Sequence, residues 1–195
     1  MLAPRREELR LDFAKVLAEI VRFLDAEHAR YGLAGAFALQ AHGLQRATSD
    51  VDLVVEARAR PALLAFLDSL GYERLHASEG FSNHLHPDPA WGRIDFIYLD
   101  DHTADLIFAR AVTTRILPGI EMLAPSAEHI AAMKVHAMKS DPTRTLKEMA
   151  DVQFLLQVPG IDEAEIRGYF EKAGIPERFD EIKALANDRN PGDDR

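Results

Sequence analysis

Cysteine is absent from the 195-residue chain, which excludes disulfide bonds, thiolate zinc sites and cysteine nucleophiles. Long apolar runs are absent as well. No segment is long and apolar enough to span a bilayer, and the N-terminus has no apolar core of the signal-peptide type. From these absences we expect a soluble, cytoplasmic protein without a membrane partner.

Positive charge is scarce, because 23 lysines and arginines face 32 aspartates and glutamates, for a formal net charge of −9. An acidic surface disfavours non-specific binding of nucleic acid, which depends on neutralising phosphates. Basic residues are nevertheless concentrated in one segment, where Lys134, Lys139, Arg144 and Lys147 are accompanied by a single acid, Asp141. A small basic pocket is therefore compatible with the sequence.

The composition is that of an ordinary globular protein, with 47% hydrophobic and 28% charged residues. Apolar residues at helical spacing predict an amphipathic helix over about residues 5–30. Short strands and helices then alternate. We expect strands near Leu33 and at 51–55, 72–76, 81–86, 93–99, 112–117 and 120–123, and helices at 36–42, 61–70 and 103–110. The loop at 87–92 predicts that the strands on either side of it pair in antiparallel fashion.

The pattern becomes helical after Pro125, with Ser126 as the expected N-cap of the next helix. Prolines and glycines separate helices predicted at 127–139, 143–157, 162–173 and 177–187. The sequence therefore predicts an α/β core over residues 1–124, a helical part over 125–187 and a flexible tail over 188–195.

Two aspartates, Asp50 and Asp52, stand at the start of the apolar strand predicted at 51–55. Residues i and i+2 of a strand project to the same side, so these carboxylates share a face. Like charges at this spacing are tolerated either in water or around a cation. A third acid, Asp95, lies in an apolar strand, where it needs solvent, a partner or a metal ion. Oxygen ligands of this kind suit Mg²⁺, which completes its shell with water and substrate phosphates.

Gly35 and Ala36 lie between the strand predicted near Leu33 and the helix that follows it. Glycine lets backbone amides come close to an anion, and a helix N-terminus attracts negative charge. A phosphate cradle of this kind, followed by an aspartate pair and a later aspartate, is a specific combination. It would hold a nucleoside triphosphate while metal ions join the phosphates to the acids for an in-line displacement.

These segments resemble a known superfamily. GAFALQAHGLQRATSDVDLVV, residues 35–55, resembles the first motif of the DNA-polymerase-β-like nucleotidyltransferases, and RIDFIYL, residues 93–99, resembles the second. Within that superfamily, the Lys-X-X-Ala at 134–137 and RTLKEMADVQFLL at 144–156 resemble motifs of the AbiEii-type toxins of type IV toxin–antitoxin systems. The resemblance spans about residues 30–157. It implies an α/β fold, with a small mixed nucleotidyltransferase sheet flanked by helices and a C-terminal helical extension.

The resemblance also implies roles for the matching residues. Asp50, Asp52 and Asp95 would bind Mg²⁺, and Asp95 would act as general base on an acceptor hydroxyl. Asp151 would have a catalytic or supporting role. The phosphate cradle and the nucleotide pocket would be formed by Gly35, Ala36, Arg46, Lys134 and Lys147.

Two residues depart from the patterns of these families. Ala36 stands where the cradle commonly has serine or a second glycine, which removes a hydroxyl contact and keeps the backbone amide. Glu148 stands where the toxin motif usually has aspartate, which keeps the charge on a longer side chain. The first departure bears on phosphate binding, and the second on the placement of the carboxylate.

The function that the resemblance implies is Mg²⁺-dependent transfer of a nucleotidyl group from a nucleoside triphosphate (NTP) to a hydroxyl acceptor, with release of pyrophosphate. A toxin of this kind would act on an acceptor such as tRNA and would be neutralised by an antitoxin protein. Two other classes stay open. A small-molecule, antibiotic-modifying nucleotidyltransferase would share the first two motifs, and Ala36 favours a non-catalytic descendant that binds a nucleotide or a partner.

Simpler interpretations of the same residues also stay open. The aspartate pair taken alone would fit a solvated strand end. Lys134 equally fits a surface lysine, and the polar residues of 147–151 fit a solvated helix face with weak ion pairs. His84 and His86 share a strand face, and without a third ligand we favour an exposed polar face over a zinc site.

Overall fold

The structure, a computed structural model, describes residues 12–188, without the side chains of residues 186–188. Residues 5–11 of the predicted first helix and the predicted tail beyond residue 188 lie outside the described residues. The described chain forms two compact units. The first comprises residues 12–41 and 45–125, and the second comprises residues 42–44 and 126–188.

The first unit alternates helices and strands. In chain order it contains α1 (Phe13–Ala26), β1 (Tyr31–Leu33), α2 (Gly35–Ala41), β2 (Asp50–Glu56), α3 (Arg60–Leu70), β3 (Glu73–Ala77), β4 (Phe81–Leu85), β5 (Arg93–Leu99), α4 (Asp101–Ala109), β6 (Val112–Leu117) and β7 (Ile120–Ala124). A 3₁₀ turn, Ala57–Ala59, joins β2 to α3. The predicted succession of elements is confirmed, although the first helix ends at Ala26 rather than near residue 30.

The main sheet has five strands in the order β1-β2-β5-β4-β3. Strands β2 and β5 run parallel, whereas the other neighbouring strands pair in antiparallel fashion. The antiparallel pairing predicted across the loop at 87–92 is therefore present between β4 and β5. Strands β6 and β7 form a separate two-stranded sheet. The predicted mixed α/β architecture is confirmed.

One face of the central strands is apolar and buried. Its fully or nearly fully buried side chains are Val51, Leu53, Val55, Ile94, Phe96 and Tyr98. Apolar stripes on α1 and α3 complete the core of this unit, with Val16, Leu17, Ile20, Leu24, Leu63 and Leu67 fully buried. Helix α3 ends at Gly71, whose φ of +93° is the left-handed conformation that favours glycine after a helix. The other sheet face carries the acidic residues.

Glu56, the last residue of β2, connects this strand to β1 at the edge of the sheet. It is only 4% exposed. Its carboxylate accepts hydrogen bonds from the backbone N–H of Arg30 at 2.8 Å, from Nε of Arg30 at 2.7 Å and from Nε of Arg58 at 3.1 Å. Burial alone would raise the pKa of Glu56, but these bonds outweigh burial and lower the pKa. The residue before β1 and the residue that ends β2 are thereby held together.

The second unit is helical, as predicted, and consists of α5 (Ala127–Ser140), α6 (Thr145–Leu155), α7 (Glu163–Ala173) and α8 (Pro176–Asp188) together with residues 42–44. The side chain of Ser126 caps α5 by accepting from the backbone N–H of His129 at 3.3 Å. Glu128 accepts from the backbone N–H of Asp162 at 3.1 Å and so connects α5 to the start of α7. Over residues 12–188, no helix combines the length and apolarity that crossing a bilayer requires.

His84 is fully buried, so its interpretation as part of an exposed polar face is wrong. Its Nε2 lies 2.9 Å from Oγ of Ser82, which lies 2.7 Å from the hydroxyl of Tyr98. These three side chains project from β4 and β5 to the core face, which strand alternation alone could not identify. Burial lowers the pKa of His84, and the charge of Arg74 acts in the same direction.

We expect the pH dependence of stability to report the burial of His84. Below the ordinary histidine pKa of about 6.5, the unfolded chain binds a proton that the folded chain excludes, so acidification destabilises the fold. The contribution of this residue is at most about 1.4 kcal/mol for each pH unit. Urea titrations from pH 7 to pH 5 should show a steeper loss of stability for the native protein than for His84→Gln. Parallel curves would contradict a buried neutral imidazole.

Candidate active site

The parallel pairing of β2 with β5 brings three acidic residues onto one face of the sheet. Asp52 is the register partner of Asp95, and Asp50 is the register partner of Arg93. Neighbouring strands lie about 4.8 Å apart, and residues at i and i+2 share a side. All four side chains are half-buried. We call Asp50, Asp52, Arg93 and Asp95 the carboxylate face, and its three acids are those predicted to bind metal.

Gly35, the first residue of α2, lies against the carboxylate of Asp52. Its φ is +53°, in the left-handed region that residues with a side chain seldom adopt. A Cβ at this position would lie 2.6 Å from Cγ of Asp52, well inside van der Waals contact. The backbone N–H of Ala34 donates to the carbonyl oxygen of Asp52 at 2.9 Å. Both backbone conformation and space therefore require glycine beside the acid.

Asp50 is held by residues of the preceding loop that sequence reasoning did not single out. The hydroxyl of Ser49 donates to Oδ1 of Asp50 at 2.7 Å, and the backbone N–H of Asp50 donates to Oγ1 of Thr48 at 3.2 Å. Of the predicted cradle residues, Ala36 is buried in α2 and Arg46 is half-buried in this loop. Their predicted contacts with phosphate stay predictions.

Arg93 is the second contributor to this face that sequence reasoning missed. Its Nε donates to Oδ1 of Asp95 at 2.9 Å, and its Nη2 donates to Oδ2 at 3.1 Å. These hydrogen bonds raise the pKa of Arg93; burial opposes the shift, whereas the charges of Asp95, Asp50 and Asp52 reinforce it. Strand alternation in RIDFIYL was the signal that could have identified Arg93, because it stands two residues before Asp95.

The donor set of the carboxylate face fits a divalent cation. It offers oxygen ligands from three carboxylates, whose mutual repulsion a bound cation relieves. Asp50, Asp52 and Asp95 are the residues that would hold Mg²⁺. Across residues 12–188, however, no three aspartate, glutamate or histidine side chains are gathered closely enough to form a metal site. The suitability of this face for Mg²⁺ therefore depends on the oxygen donors that it offers and on the register of β2 with β5.

Lys134 lies in a second group of charges, in the helical unit. It is 7% exposed, and its Nζ lies 2.7 Å from Oε2 of Glu148 and 2.7 Å from Oδ2 of Asp151. Nη2 of Arg144 lies 2.7 Å from the other oxygen of Glu148. Two cations thus offset two carboxylates in a group that we call the buried ion cluster. The interpretation of Lys134 as a surface lysine is wrong.

The same cluster bears on the other residues predicted from α6. Glu148 and Asp151 are buried, so the solvated-face interpretation is wrong for them, whereas Lys147 is exposed. Glu148, the departure from the toxin motif, uses its two oxygens to bind Lys134 and Arg144. The predicted roles of Lys134 and Lys147 in nucleotide binding, and of Asp151 in catalysis, stay predictions.

Comparison with known proteins gives similarity in structure and none in sequence. No protein-family model and no curated protein match the chain. A solution structure of the antibiotic-resistance factor ANT(2'')-Ia is similar at a TM-score of 0.53 and 16% identity, over 92% of this chain and 94% of that one. A crystal structure of ANT(2'')-Ia in complex with adenylyl-2''-tobramycin gives 0.52 at 16% identity, over 90% and 98%.

A third similar structure is that of an antigenic nucleotidyltransferase-like protein from Paracoccidioides brasiliensis. Its TM-score is 0.55 at 16% identity, over 93% of this chain and 91% of that one. The chain therefore shares the fold of these proteins, in agreement with the fold expected from the resemblance of residues 35–55 and 93–99. The finer resemblance to the AbiEii-type toxins stays a prediction.

We expect Gly35→Ala to destabilise the protein by about 1–3 kcal/mol, because a residue with a side chain is strained at positive φ and its methyl group would overlap Asp52. Gly80→Ala is the matched control, since no atom lies within 4 Å of a Cβ added there. Urea denaturation of both variants measures the difference. Equal stabilities would show that Gly35 is not confined against the acid.

The buried ion cluster predicts a large cost for removing its central cation. In Lys134→Met two buried carboxylates lose their shared partner, and we expect a loss of about 3–5 kcal/mol in the free energy of unfolding. Lys147→Met, on the exposed side of α6, should change stability by less than about 0.5 kcal/mol. A Lys134 variant as stable as the Lys147 variant would contradict a structural role for this ion pair.

Proposed function

We propose that the protein is a Mg²⁺-dependent nucleotidyltransferase that moves a nucleoside monophosphate group from an NTP to a hydroxyl acceptor. The observation that carries this proposal is the register of Asp52 with Asp95 on adjacent parallel strands, with Asp50 on the same face. Gly35 supports it, because the lack of a side chain there lets the backbone of the turn lie directly against Asp52. The fold shared with nucleotidyltransferases supports it further.

In the proposed reaction the acceptor oxygen attacks the α-phosphorus of the NTP. The bond from that phosphorus to the bridging oxygen breaks, and pyrophosphate leaves with the electron pair. Asp95 accepts the proton of the acceptor hydroxyl. Asp50, Asp52 and Asp95 would hold Mg²⁺, which would neutralise phosphate charge. Gly35 and Ala36 carry no bulky side chain that would keep a phosphate away from the backbone amides of this turn.

We favour a small polar molecule as the acceptor. ANT(2'')-Ia, whose structure is similar to this chain over nearly its whole length, has been solved in complex with adenylyl-2''-tobramycin. The net charge of −9 also suits a neutral or cationic acceptor better than a polyanion. An RNA acceptor such as tRNA, with an antitoxin as partner, is the second candidate. It is supported by the motif resemblance at 144–156.

The test is an assay with each labelled NTP and Mg²⁺, offered separately to a panel of small hydroxyl compounds that includes aminoglycosides and to total RNA. We expect label to enter a small molecule, and EDTA to abolish the transfer. Asp52→Asn should lower the rate at least about a hundredfold, because it removes one of the three carboxylates that would hold Mg²⁺. Asp101→Asn, at an exposed position in the first turn of α4, should retain native activity.

Each outcome of this assay selects one function. Label entering RNA alone would select the second candidate. Mg²⁺-dependent NTP binding without transfer to either acceptor class would select a non-catalytic nucleotide-binding protein. If Asp52→Asn transferred label as fast as the native protein, the carboxylate face would not be the active site.

A further inference from the structure

Arg93 binds the carboxylate on which the proposed chemistry depends. Its two hydrogen bonds to Asp95, at 2.9 and 3.1 Å, are parallel and charge-assisted. Each occupies one acceptor site on a different carboxylate oxygen, so both oxygens of Asp95 are engaged. The side chain of Asp95 is only 12% exposed, which leaves little room for water to compete. The carboxylate is therefore held in one orientation.

Arg93 also serves as a counter-charge for the whole carboxylate face. Asp50 is its register partner on β2, Asp95 is its hydrogen-bond partner, and Asp52 stands opposite Asp95 on the same face. The guanidinium thus lies in the field of all three acids. Without it, three like charges would share one half-buried face, which is unfavourable in the absence of a cation.

A divalent cation and Arg93 need the same oxygens. The register of β2 with β5 aligns the backbone positions of Asp52 and Asp95, yet no three acidic or histidine side chains of residues 12–188 form a metal-binding group. The bidentate contact directs both oxygens of Asp95 to Arg93. Arg93 occupies one acceptor site on each oxygen, so a cation that draws Asp95 towards Asp50 and Asp52 must compete with the arginine for the orientation of that carboxylate.

Release of Arg93 is physically feasible. Its side chain is 40% exposed, against 12% for Asp95, so the guanidinium can rotate into water and recover its hydration. Partly exposed ion pairs contribute only modest free energy, so the contact can be exchanged for another. A divalent cation offers the same carboxylate twice the charge.

We propose that Arg93 is a positioning residue that holds Asp95 in the cation-free protein and is displaced from it by the divalent cation. The proposal rests on the proposed function for the identity of that cation. In the cation-free state the positive charge of Arg93 reduces the repulsion among the three clustered acids. When the cation binds, it takes over this neutralisation, and Asp95 becomes available to the metal ion and to the acceptor proton.

The test measures Mn²⁺ binding without nucleotide, by electron paramagnetic resonance, for the native protein, Arg93→Gln, Arg93→Lys and Arg74→Gln. Arg93→Gln removes the competitor and should bind Mn²⁺ about fivefold more tightly. Arg93→Lys keeps the charge but loses the two-pronged contact, so it should lie between the native protein and Arg93→Gln. Arg74→Gln removes an equal charge from β3 of the same sheet, where Arg74 pairs with Asp68 of α3, and should match the native protein.

Equal or weaker Mn²⁺ binding by both Arg93 variants would overturn the proposal, since a purely structural ion pair gives that result. If Arg93→Gln failed to fold, as monitored by circular dichroism, the Lys variant alone would decide. Tighter binding by the Arg93 variants in a protein that transfers no nucleotide would uphold the role of Arg93 and refute the proposed function alone. Absence of Mn²⁺ binding in all four proteins would overturn the role of Arg93, whereas the proposed function is decided separately by the transfer assay.

Discussion

Parallel pairing of β2 with β5 determines whether the acids meet at all. Because side chains alternate along a strand, a slip of one residue would turn Asp95 to the opposite face of the sheet. The same slip would bring Phe96, which is fully buried, out of the core. Burial of Phe96 and of its neighbour Ile94 therefore fixes the register, and the register in turn places Asp95 beside Asp52. Apolar packing on one face sets the polar chemistry on the other.

The chain stabilises clustered charge in two different ways. In the helical unit, Lys134, Glu148 and Asp151 are almost fully enclosed, and removal of Lys134 leaves uncompensated buried charge. On the carboxylate face, three acids share Arg93, and all of these side chains keep contact with solvent. An enclosed group of this kind is suited to a fixed structure, whereas a half-exposed one can exchange partners. The charges that can exchange partners are those of the carboxylate face, where the proposed reaction takes place.

Local sequence signals predicted most of the fold but only part of the site. Apolar spacing, together with glycines such as Gly71, gave the succession of elements, because these signals act within a few residues. Alternation also predicted that Asp50 and Asp52 share a side. It could not tell which side of a strand faces the core, so His84 was misinterpreted, and helical spacing likewise did not reveal the burial of Lys134. Both errors concern residues whose surroundings are formed by segments distant in the sequence. The proximity of Asp95 to Asp50 and Asp52 is of the same kind, and the family resemblance was needed to predict it.

The separation of β2 from β5 along the chain also affects how the protein folds during its synthesis. Helix α3 and strands β3 and β4 lie between them, and β5 is sandwiched between β2 and β4 in the finished sheet. Contacts between such distant segments require closure of a long loop and form slowly relative to local ones. A nascent chain that has left the ribosome only as far as β4 contains Asp50 and Asp52 without Asp95. The proposed active site is therefore incomplete during synthesis until the last acid has emerged and β5 has joined the sheet.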